Sequence, residues 1–247
     1  MVAIRELAIG DLARLAAPVS LAGEQRLPVI TALEPLFPSG GLRRGSVVAV
    51  EGAHSTSLAL AVAAAASAEG SWCAAVGRPA LGLVAAAELG VALERFPLVP
   101  TPTAGHGPGG WAWVVATLLD AFDLVLAWPS AGRAVRPADA RRLAGRARER
   151  GAVLVVVGLV VAGSGLASGA AAWPEAPDVR LAVTRSEWHG LEKGHGRLRG
   201  RLVEVEAGGR GASARRRRTE LWLPAPAGEV PPAPTAATVP TEMSEVG

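Results

Sequence analysis

The sequence predicts an α/β protein with a mainly parallel sheet, covered by helices, and an antiparallel C-terminal extension. Between residues 47 and 157, short runs rich in valine, leucine and alanine alternate with longer segments of helical spacing, which is the pattern of βαβ units. From residue 179 onward, apolar residues alternate with polar ones, as in antiparallel strands that bury one face. Half of the 247 residues are apolar, which is enough for one sizeable core.

The helices and strands follow one another in a regular order. Helical spacing of the apolar residues predicts helices at residues 55–68, 80–89, 111–121 and 137–150. The runs between them predict strands at 47–50, 71–76, a short one near Leu98, 123–127 and 152–157, and the alternating segments add 179–184, 198–206 and 219–223. Residues 158–178 are rich in glycine and alanine and are predicted to form a long mobile loop.

Both ends of the chain differ in composition from the centre. Residues 1–27 contain apolar side chains at near-helical spacing between positions 4 and 16, which predicts an N-terminal helical segment. Residues 28–223 are predicted to form one α/β domain. Residues 224–247 are rich in proline and alanine and contain few large apolar side chains, so we expect a disordered tail.

Composition excludes several classes of protein. The one cysteine, Cys73, cannot form an intramolecular disulfide, and the first 22 residues have no continuous apolar region typical of a secretory leader. The longest alanine-rich apolar run, residues 58–66, is far below the roughly 18 residues of a membrane span. The four histidines have no nearby cysteine and no metal-ligand spacing. We therefore expect a cytoplasmic protein without a membrane segment or a metal site.

One segment has the frame of a phosphate-binding loop. Residues 46–58 form an apolar run that turns at Gly52 into an alanine-rich helix. A working loop reads Gly, four residues, Gly, Lys, Ser or Thr, because the backbone wraps the phosphates, the lysine neutralises them and the hydroxyl holds magnesium. The only lysine of the chain, Lys193, lies far downstream. The Walker A lysine is therefore missing.

Neither alignment of this segment restores the loop. Counted from Gly52 without gaps, Ser57 stands at the second glycine and Leu58 at the lysine. Aligned on the following helix, Ser55 stands at the lysine and Thr56 at the hydroxyl, but the loop is then three residues too short. Hydroxyl residues at this place are ordinarily helix N-caps. The degenerate loop predicts no nucleotide cofactor.

The order of these segments resembles the RecA core. Local matches are the glycine-rich segment 40–45 before the strand, residues 64–70 at the end of the helix, residues 73–74 in the next strand, and residues 178–181 after the glycine-rich loop. The resemblance covers residues 28–223 and implies a RecA-like fold.

The resemblance also implies where catalytic residues would stand, and the chain departs from the family at each place. The Walker B strand ends at Trp128 instead of an aspartate, the catalytic glutamate position holds Pro79, and the position of the γ-phosphate-sensing glutamine holds Leu159. Asp123 begins its strand, at the end opposite the phosphate site, and is expected to be a surface or turn residue. Phosphoryl transfer is catalysed by positioning and charge neutralisation, so we expect a protein that is not an enzyme.

A degenerate RecA-like protein of this size, rich in arginine, is similar to the actinobacterial ImuA-type subunits of the mutasome. The resemblance implies a noncatalytic accessory protein of SOS-induced translesion synthesis and mutagenesis. It implies binding to ImuB, a Y-family polymerase-like protein without polymerase activity, and through ImuB the support of an error-prone replicative-type polymerase. It also places the partner contact in the C-terminal region, at Arg215, Arg216, Arg217, Arg218, Leu221 and Trp222 and in the tail beyond.

Arginines form two clusters, one at residues 133–150 and one at residues 197–218. Each is either a solvated surface or a contact for phosphates or an acidic partner, because clustered arginines release counterions when they bind DNA. The candidate DNA contacts in the first cluster are Arg141, Arg142 and Arg146. The glycine-rich loop, which binds single-stranded DNA in RecA, contains no arginine or lysine between residues 159 and 177, so we expect weak DNA binding at most.

Two alternatives of other classes remain open. A cell-division inhibitor of the SulA type is also RecA-like and lacks a nucleotide site, although the long basic C-terminal end of this chain argues against it. An ATP-binding recombinase paralogue would require that the segment around Gly52 still binds nucleotide.

Overall fold

The computed structural model describes residues 26–78, 80–100, 110–129, 135–159, 173–192 and 195–224. The predicted N-terminal helix at 4–16 and the predicted disordered tail beyond Pro224 lie outside these ranges, as does Pro79. The strands are β1 (Arg26–Leu27), β2 (Leu42–Arg43), β3 (Val47–Glu51), β4 (Cys73–Val76), β5 (Leu98–Val99), β6 (Leu124–Ala127), β7 (Val153–Leu159), β8 (Val179–Glu192), β9 (His195–Gly209) and β10 (Arg217–Trp222). The α-helices are α1 (Ser55–Ala68), α2 (Leu83–Glu88), α3 (Trp111–Ala121) and α4 (Pro137–Arg150).

One eight-stranded sheet organises the molecule, with the strand order β10-β9-β8-β3-β7-β6-β4-β5. The strands from β8 to β5 are parallel to one another. Strands β9 and β10 add to β8 in antiparallel fashion. A small separate sheet pairs β1 with β2. The predicted α/β class, with a mainly parallel sheet and antiparallel C-terminal strands, is confirmed.

Helices cover both faces of the sheet. On one face, α1 packs together with a 3-10 helix at Thr31–Leu36 and the apolar residue Ala86 of α2. On the other face, α3 and α4 bury Val115, Leu119 and Leu143. Helix α1 is apolar almost all round, which is typical of a helix enclosed by its own protein. None of the described helices combines the length and the apolarity needed to cross a membrane.

A carboxylate joins the elements at the amino edge of the sheet. Asp123, immediately before β6, accepts a hydrogen bond from Nη1 of Arg44 at 2.8 Å and another from the backbone amide of Trp72 at 3.0 Å. The same Nη1 also donates to the carbonyl oxygen of Gly151, after α4, at 3.4 Å. Asp123 therefore holds three chain segments together at the edge opposite the β3–α1 turn.

The only cysteine is buried in β4, the strand next to the edge strand β5. Cys73 begins β4, has no exposed surface, and is a free thiol. Burial, and secondarily the negative charge of Asp123, raise the pKa of the Cys73 thiol to about 12.

The antiparallel strands are longer than the sequence predicts. Only residues 179–182 of β8 pair with β3, so the β8–β9 hairpin continues well beyond the carboxyl end of the parallel sheet. The pairing is irregular between Val183 and Arg185 and between His189 and Leu191. Such bulges shift the alternation of side chains by one residue, which is why an alternating pattern detects β8 only as far as its first bulge and β9 without its ends.

The segment 158–178, which is predicted to be a loop, differs from that prediction at both ends. Its first two residues belong to β7, and Trp173 near its end lies in the core. Gly158 and Leu159 belong to β7, and residues 160–172 lie outside the described ranges. Trp173 is 1% exposed and packs with the apolar side chains between the sheet and helices α3 and α4. The expectation of a mobile loop over the whole segment is therefore wrong at both ends, because an indole in the core fixes the chain before β8.

Two glycine substitutions are expected to change the free energy of unfolding in opposite directions. Gly77 follows β4 with φ +88°, and a Cβ there would lie 2.2 Å from the carbonyl oxygen of Trp128, so we expect Gly77→Ala to lower the free energy of unfolding by about 3 kcal/mol. Gly145 lies within α4 with open space around it, so Gly145→Ala is expected to raise the free energy of unfolding by up to about 1 kcal/mol. Urea unfolding followed by circular dichroism measures both, and a Gly77→Ala protein as stable as the parent would contradict the close approach.

Candidate functional site

The candidate site lies at the carboxyl edge of the parallel sheet, where β3 turns into α1. Gly52, Ala53 and His54 make the whole connection between the strand and the helix. Gly52 has φ +80° and His54 has φ +64°, both in the left-handed region. Ligands of open α/β sheets bind at this edge. A turn of three residues is, however, too short to wrap phosphates with backbone amides as a Walker A loop does.

The residues of the degenerate loop belong to the first turn of α1. Ser55 is buried, and Thr56 and Ser57 are half-buried. Leu58, at the lysine position of one alignment, has no exposed surface and packs in the core. Its side chain therefore points away from any ligand at the turn. The first amides of α1 have no partner within the helix, as at every helix start, and their dipoles favour a negative charge.

An indole stands where the resemblance to RecA would place the Walker B carboxylate. Trp128 follows β6 directly, is 6% exposed, and donates its backbone amide to the carbonyl oxygen of Val76 at 2.9 Å. Its neighbours are Gly77, after β4, and Gly158, in β7. Magnesium requires oxygen ligands in octahedral geometry, which an apolar ring cannot supply. Leu159 is the last residue of β7.

A buried arginine on β9, two strands away from β3, reaches the turn. Arg201, on β9, is 4% exposed, and its Nη1 donates a hydrogen bond to Nδ1 of His54. Its guanidinium also lies over the ring of Trp188, 5.0 Å from the ring centroid, in a cation–π contact. Arg201 belongs to the second arginine cluster of the sequence, for which a solvated surface or a partner contact is expected, and its burial differs from both expectations. The one signal in the sequence is the alternation of Arg201 with the buried residues Val203 and Val205.

Burial lowers the pKa of both basic side chains at the turn, His54 and Arg201. Burial, and secondarily the positive charge of Arg201, hold the pKa of His54 below its usual value. Burial also lowers the pKa of Arg201, which remains charged because an arginine side chain loses its proton only at very high pH. His54 is therefore neutral at pH 7, with Nδ1 as an acceptor. Glu51, the last residue of β3, is 2% exposed and adds a carboxyl group near the start of the turn.

The arginines predicted to contact a partner are partly compensated by neighbouring carboxylates. Arg216 and Arg218 form ion pairs with Glu206 at 3.2 and 2.8 Å. Arg217 donates to nearby backbone carbonyl oxygens at 3.3 and 3.4 Å. Arg215 is exposed, at the start of the segment that leads into β10. Arg215 is thus an exposed arginine without an ion pair among the described residues.

The two apolar residues predicted to contact a partner differ in exposure. Leu221 is 5% exposed and packs in the core, so its side chain cannot anchor another protein while β10 is folded. Trp222 is half-buried, and its ring meets the ring of His189 edge to face at 4.9 Å. Trp222 is thus the accessible apolar residue at the end of β10.

The candidate DNA contacts on α4 are each accompanied by a carboxylate. The pairs are Arg141 with Glu175 at 3.6 Å, Arg142 with Asp139 at 3.4 Å, and Arg146 with Asp120 at 2.5 Å. The hydrogen bond from Arg146 is the main cause that lowers the pKa of Asp120. Because compensated arginines release fewer counterions on contact with phosphates, this surface favours the solvated interpretation of the cluster over DNA binding.

The described residues also form a cavity away from the β3–α1 turn. A cavity of about 650 Å³ lies at the amino ends of β3 and β8, lined among others by Phe37, Leu42 and Val179. The ion pair between Arg210 and Asp178, at 3.0 Å, borders it. Within the described ranges, no three His, Cys, Asp or Glu side chains come together as ligands of a metal ion would.

The lowered pKa of His54 predicts a pH dependence of stability. The unfolded chain binds a proton at His54 near pH 6.5, whereas the folded protein binds it only at lower pH. The free energy of unfolding should therefore fall as the pH is lowered through 6.5 towards the folded pKa. The substitution His54→Asn removes the imidazole that titrates, and asparagine tolerates the left-handed backbone at this position. Urea unfolding at pH 7.5 and 5.5 should show a smaller loss for His54→Asn than for the parent, and equal losses would contradict the lowered pKa.

Comparison with known proteins identifies relatives without a stated activity. Residues 35–163 match the family model described as the MT3502 N-terminal domain, which includes the β3–α1 turn but not β8, β9 and β10. The uncharacterized protein Rv3395c of Mycobacterium tuberculosis (strain ATCC 25618 / H37Rv) is 40% identical over 123 residues, which are 49% of this chain and 56% of that protein. The chain thus spans a little over half the length of this curated relative. Because the family model matches more than half of the chain, the protein belongs to the MT3502 N-terminal domain family.

Proposed function

We propose that the protein is a noncatalytic RecA-like scaffold of DNA-damage-induced translesion synthesis. In this role it binds an ImuB-like inactive polymerase homologue and so helps to recruit an error-prone polymerase. The observation that carries the proposal is the carboxyl edge of the sheet, where a three-residue turn, a buried Leu58 and a buried Trp128 stand in place of the lysine loop and the magnesium carboxylate.

The same edge argues against phosphoryl transfer. Catalysis of that reaction needs a cradle for the phosphates, a metal ion between them and a group that orients the attacking water. The turn is too short for the cradle, and an indole ring fills the metal position. Arg201, the cation that the described residues place at the turn, cannot replace all three functions. A protein of this build is suited to binding and not to hydrolysis.

Topology supports the RecA-like part of the proposal. The P-loop-like strand β3 lies inside a parallel sheet, followed in the chain by alternating helices and strands. The antiparallel strands β9 and β10 extend the same sheet through β8. This is the order of parts that the resemblance to RecA implies.

The C-terminal end of the described chain suits a partner contact. Strand β10 is an edge strand of the main sheet, and an edge strand can pair with another chain through its backbone. Arg215 and the half-buried Trp222 lie at its two ends, and the proline-rich tail continues from Pro224. A deletion from residue 207 would remove β10 with the core residue Leu221, so a deletion that leaves the described fold intact must begin after Pro224.

A pull-down experiment tests the partner and its place. The tagged full-length chain is expected to retain the ImuB-like protein encoded in the same organism. A variant that ends at Pro224 and the substitution Arg215→Glu should each reduce the amount retained by about ten-fold, because charge reversal at an interface is strongly unfavourable. Arg148→Glu, an exposed arginine on α4, is the matched control and should retain the partner fully.

Two outcomes would contradict this prediction. If the full-length chain retains no ImuB-like protein, the proposed function is wrong. If it does, and both variants retain as much as the control, the partner contact lies elsewhere on the molecule.

Calorimetry tests the absence of a nucleotide site. Titration of ATP and magnesium into the full-length chain is expected to give no binding at micromolar affinity, because the lysine and the magnesium carboxylate are missing. The buffer-matched titration of magnesium alone is the control. Binding with a dissociation constant in the micromolar range would favour the recombinase paralogue over the scaffold.

A further inference from the structure

The cavity at the amino ends of β3 and β8 lies at the edge of the sheet opposite the β3–α1 turn. Its volume of about 650 Å³ is within the range of pockets that enclose small molecules. Four apolar residues that are almost completely buried line it, namely Phe37, Leu42, Val48 and Val179. The cavity therefore offers an apolar interior to a ligand.

The carboxylate of Asp178 holds one wall of the cavity in place. Its Oδ2 accepts a hydrogen bond from the backbone amide of Val47 at 2.9 Å, and its Oδ1 accepts one from Nη2 of Arg210 at 3.0 Å. In the β1–β2 pair, Gly41 lies so close to the carbonyl oxygen of Leu27 that a Cβ would be 2.8 Å from it. Fixed walls reduce the conformational entropy that is lost when a ligand binds.

Two arginines give the cavity a net positive charge. Of the described residues that line it, Arg43 and Arg210 are cationic and Asp178 is acidic. Arg210 is paired with Asp178 at 3.0 Å. Arg43 is exposed and has no ion pair among the described residues. An anionic group can therefore pair with Arg43 without breaking another ion pair.

We propose that this cavity binds a small amphipathic carboxylate, which is an apolar chain or ring with a single carboxyl group. The apolar body lies against Phe37, Leu42 and Val179, and the carboxylate pairs with Arg43. Burial of apolar surface supplies most of the affinity, and the charge pair sets the orientation of the ligand. The site is separate from the β3–α1 turn and from the partner contact at β10, and it does not depend on the proposed function.

The lining residues favour such a carboxylate over a nucleotide or a free phosphate. A nucleotide carries several negative charges, whereas the two arginines exceed Asp178 by a single charge. Phosphate sites rely on successive backbone amides or on a helix N-terminus. The 3-10 turn Gly211–Ser213, which lines the cavity, is too short to supply a helix dipole. An apolar interior with one free countercharge suits a ligand with one charged end.

Isothermal titration calorimetry of the full-length chain with sodium decanoate, kept below its critical micelle concentration, tests the site. The parent is expected to bind one decanoate per chain. Acetate lacks the apolar body and decylamine carries the opposite charge, so each should bind at least about ten-fold more weakly than decanoate.

Arg43→Gln and Arg199→Gln form a matched pair of variants. Both arginines are exposed and neither has an ion pair among the described residues, but Arg199 lies on the part of β9 beyond the carboxyl end of the parallel sheet. Arg43→Gln should weaken decanoate binding by about five-fold or more, because it removes the countercharge. Arg199→Gln should change the affinity by less than about two-fold, since it is remote from the cavity.

Bulky side chains at the walls test the position of the site. Ser39 and Ala212 are exposed and line the cavity, so Ser39→Trp and Ala212→Trp each place an indole there. At least one of the two should weaken decanoate binding by about ten-fold or more, because the indole takes up space that the ligand needs. Ala87→Trp, at an exposed position of α2, is the control and should bind as the parent does. All of these positions are exposed, so Tm without ligand should stay close to that of the parent.

The N-terminal segment of the chain is a competing occupant. Residues 1–25 precede β1, which pairs with the cavity residues Leu42 and Arg43. The segment contains Leu7 and Leu12 among its apolar residues. The experiment therefore includes a full-length variant in which these two leucines are replaced by serine.

Any of five results would overturn the proposal. Three concern the ligand and its contacts: no decanoate binding by the parent, equal weakening by Arg43→Gln and Arg199→Gln, and unchanged binding by both tryptophan variants at the cavity. The fourth is tighter binding of inorganic phosphate than of decanoate. The fifth is decanoate binding that becomes more than about ten-fold tighter when Leu7 and Leu12 are replaced, which would make the N-terminal segment the occupant.

Discussion

The architecture depends on the position of β3, between β7 and β8, and on its passage into α1 within three residues. A strand enclosed on both sides must be apolar, and Val48, Ala49 and Val50 have no exposed surface. The short turn leaves α1 no freedom to move away from the sheet, which is why that helix is apolar almost all round. The same short connection leaves only three residues of backbone between β3 and the helix, so packing and the shape of the turn have a common origin.

Local chemistry was sufficient to predict most of the fold. The bounds of α1, α3 and α4 agree with the predicted 55–68, 111–121 and 137–150, since helical spacing marks them and Pro137 and Gly151 delimit α4. Strands β3, β4, β6 and β7 differ from the prediction by at most two residues at either end. The length of the β8–β9 hairpin exceeds the prediction because two bulges interrupt the alternation of its side chains. The sequence around Trp173 has no local pattern that predicts the return of the chain to the core.

The candidate site was only half predictable. The missing lysine and the indole at Trp128 are visible in the sequence, because each stands at a fixed distance from a recognisable strand. The contact of Arg201 with His54 joins residues 147 positions apart, and its geometry depends on the register of a bulged hairpin. The sequence contains many arginines, and Arg201 is distinguished by its burial, which the sequence does not show directly. The arginines of α4, by contrast, pair with carboxylates at the surface, where each such pair contributes little to stability.

The enclosure of Cys73 has a practical consequence for spectroscopy. A thiol without exposed surface, whose proton is retained to about pH 12, is inert towards maleimides and disulfide reagents at neutral pH. A new cysteine placed anywhere on the exterior would therefore be the sole reactive thiol, without removal of the natural one. Spin labels or fluorophores attached at the hairpin tip and at α4 could then report distances in an otherwise unaltered molecule.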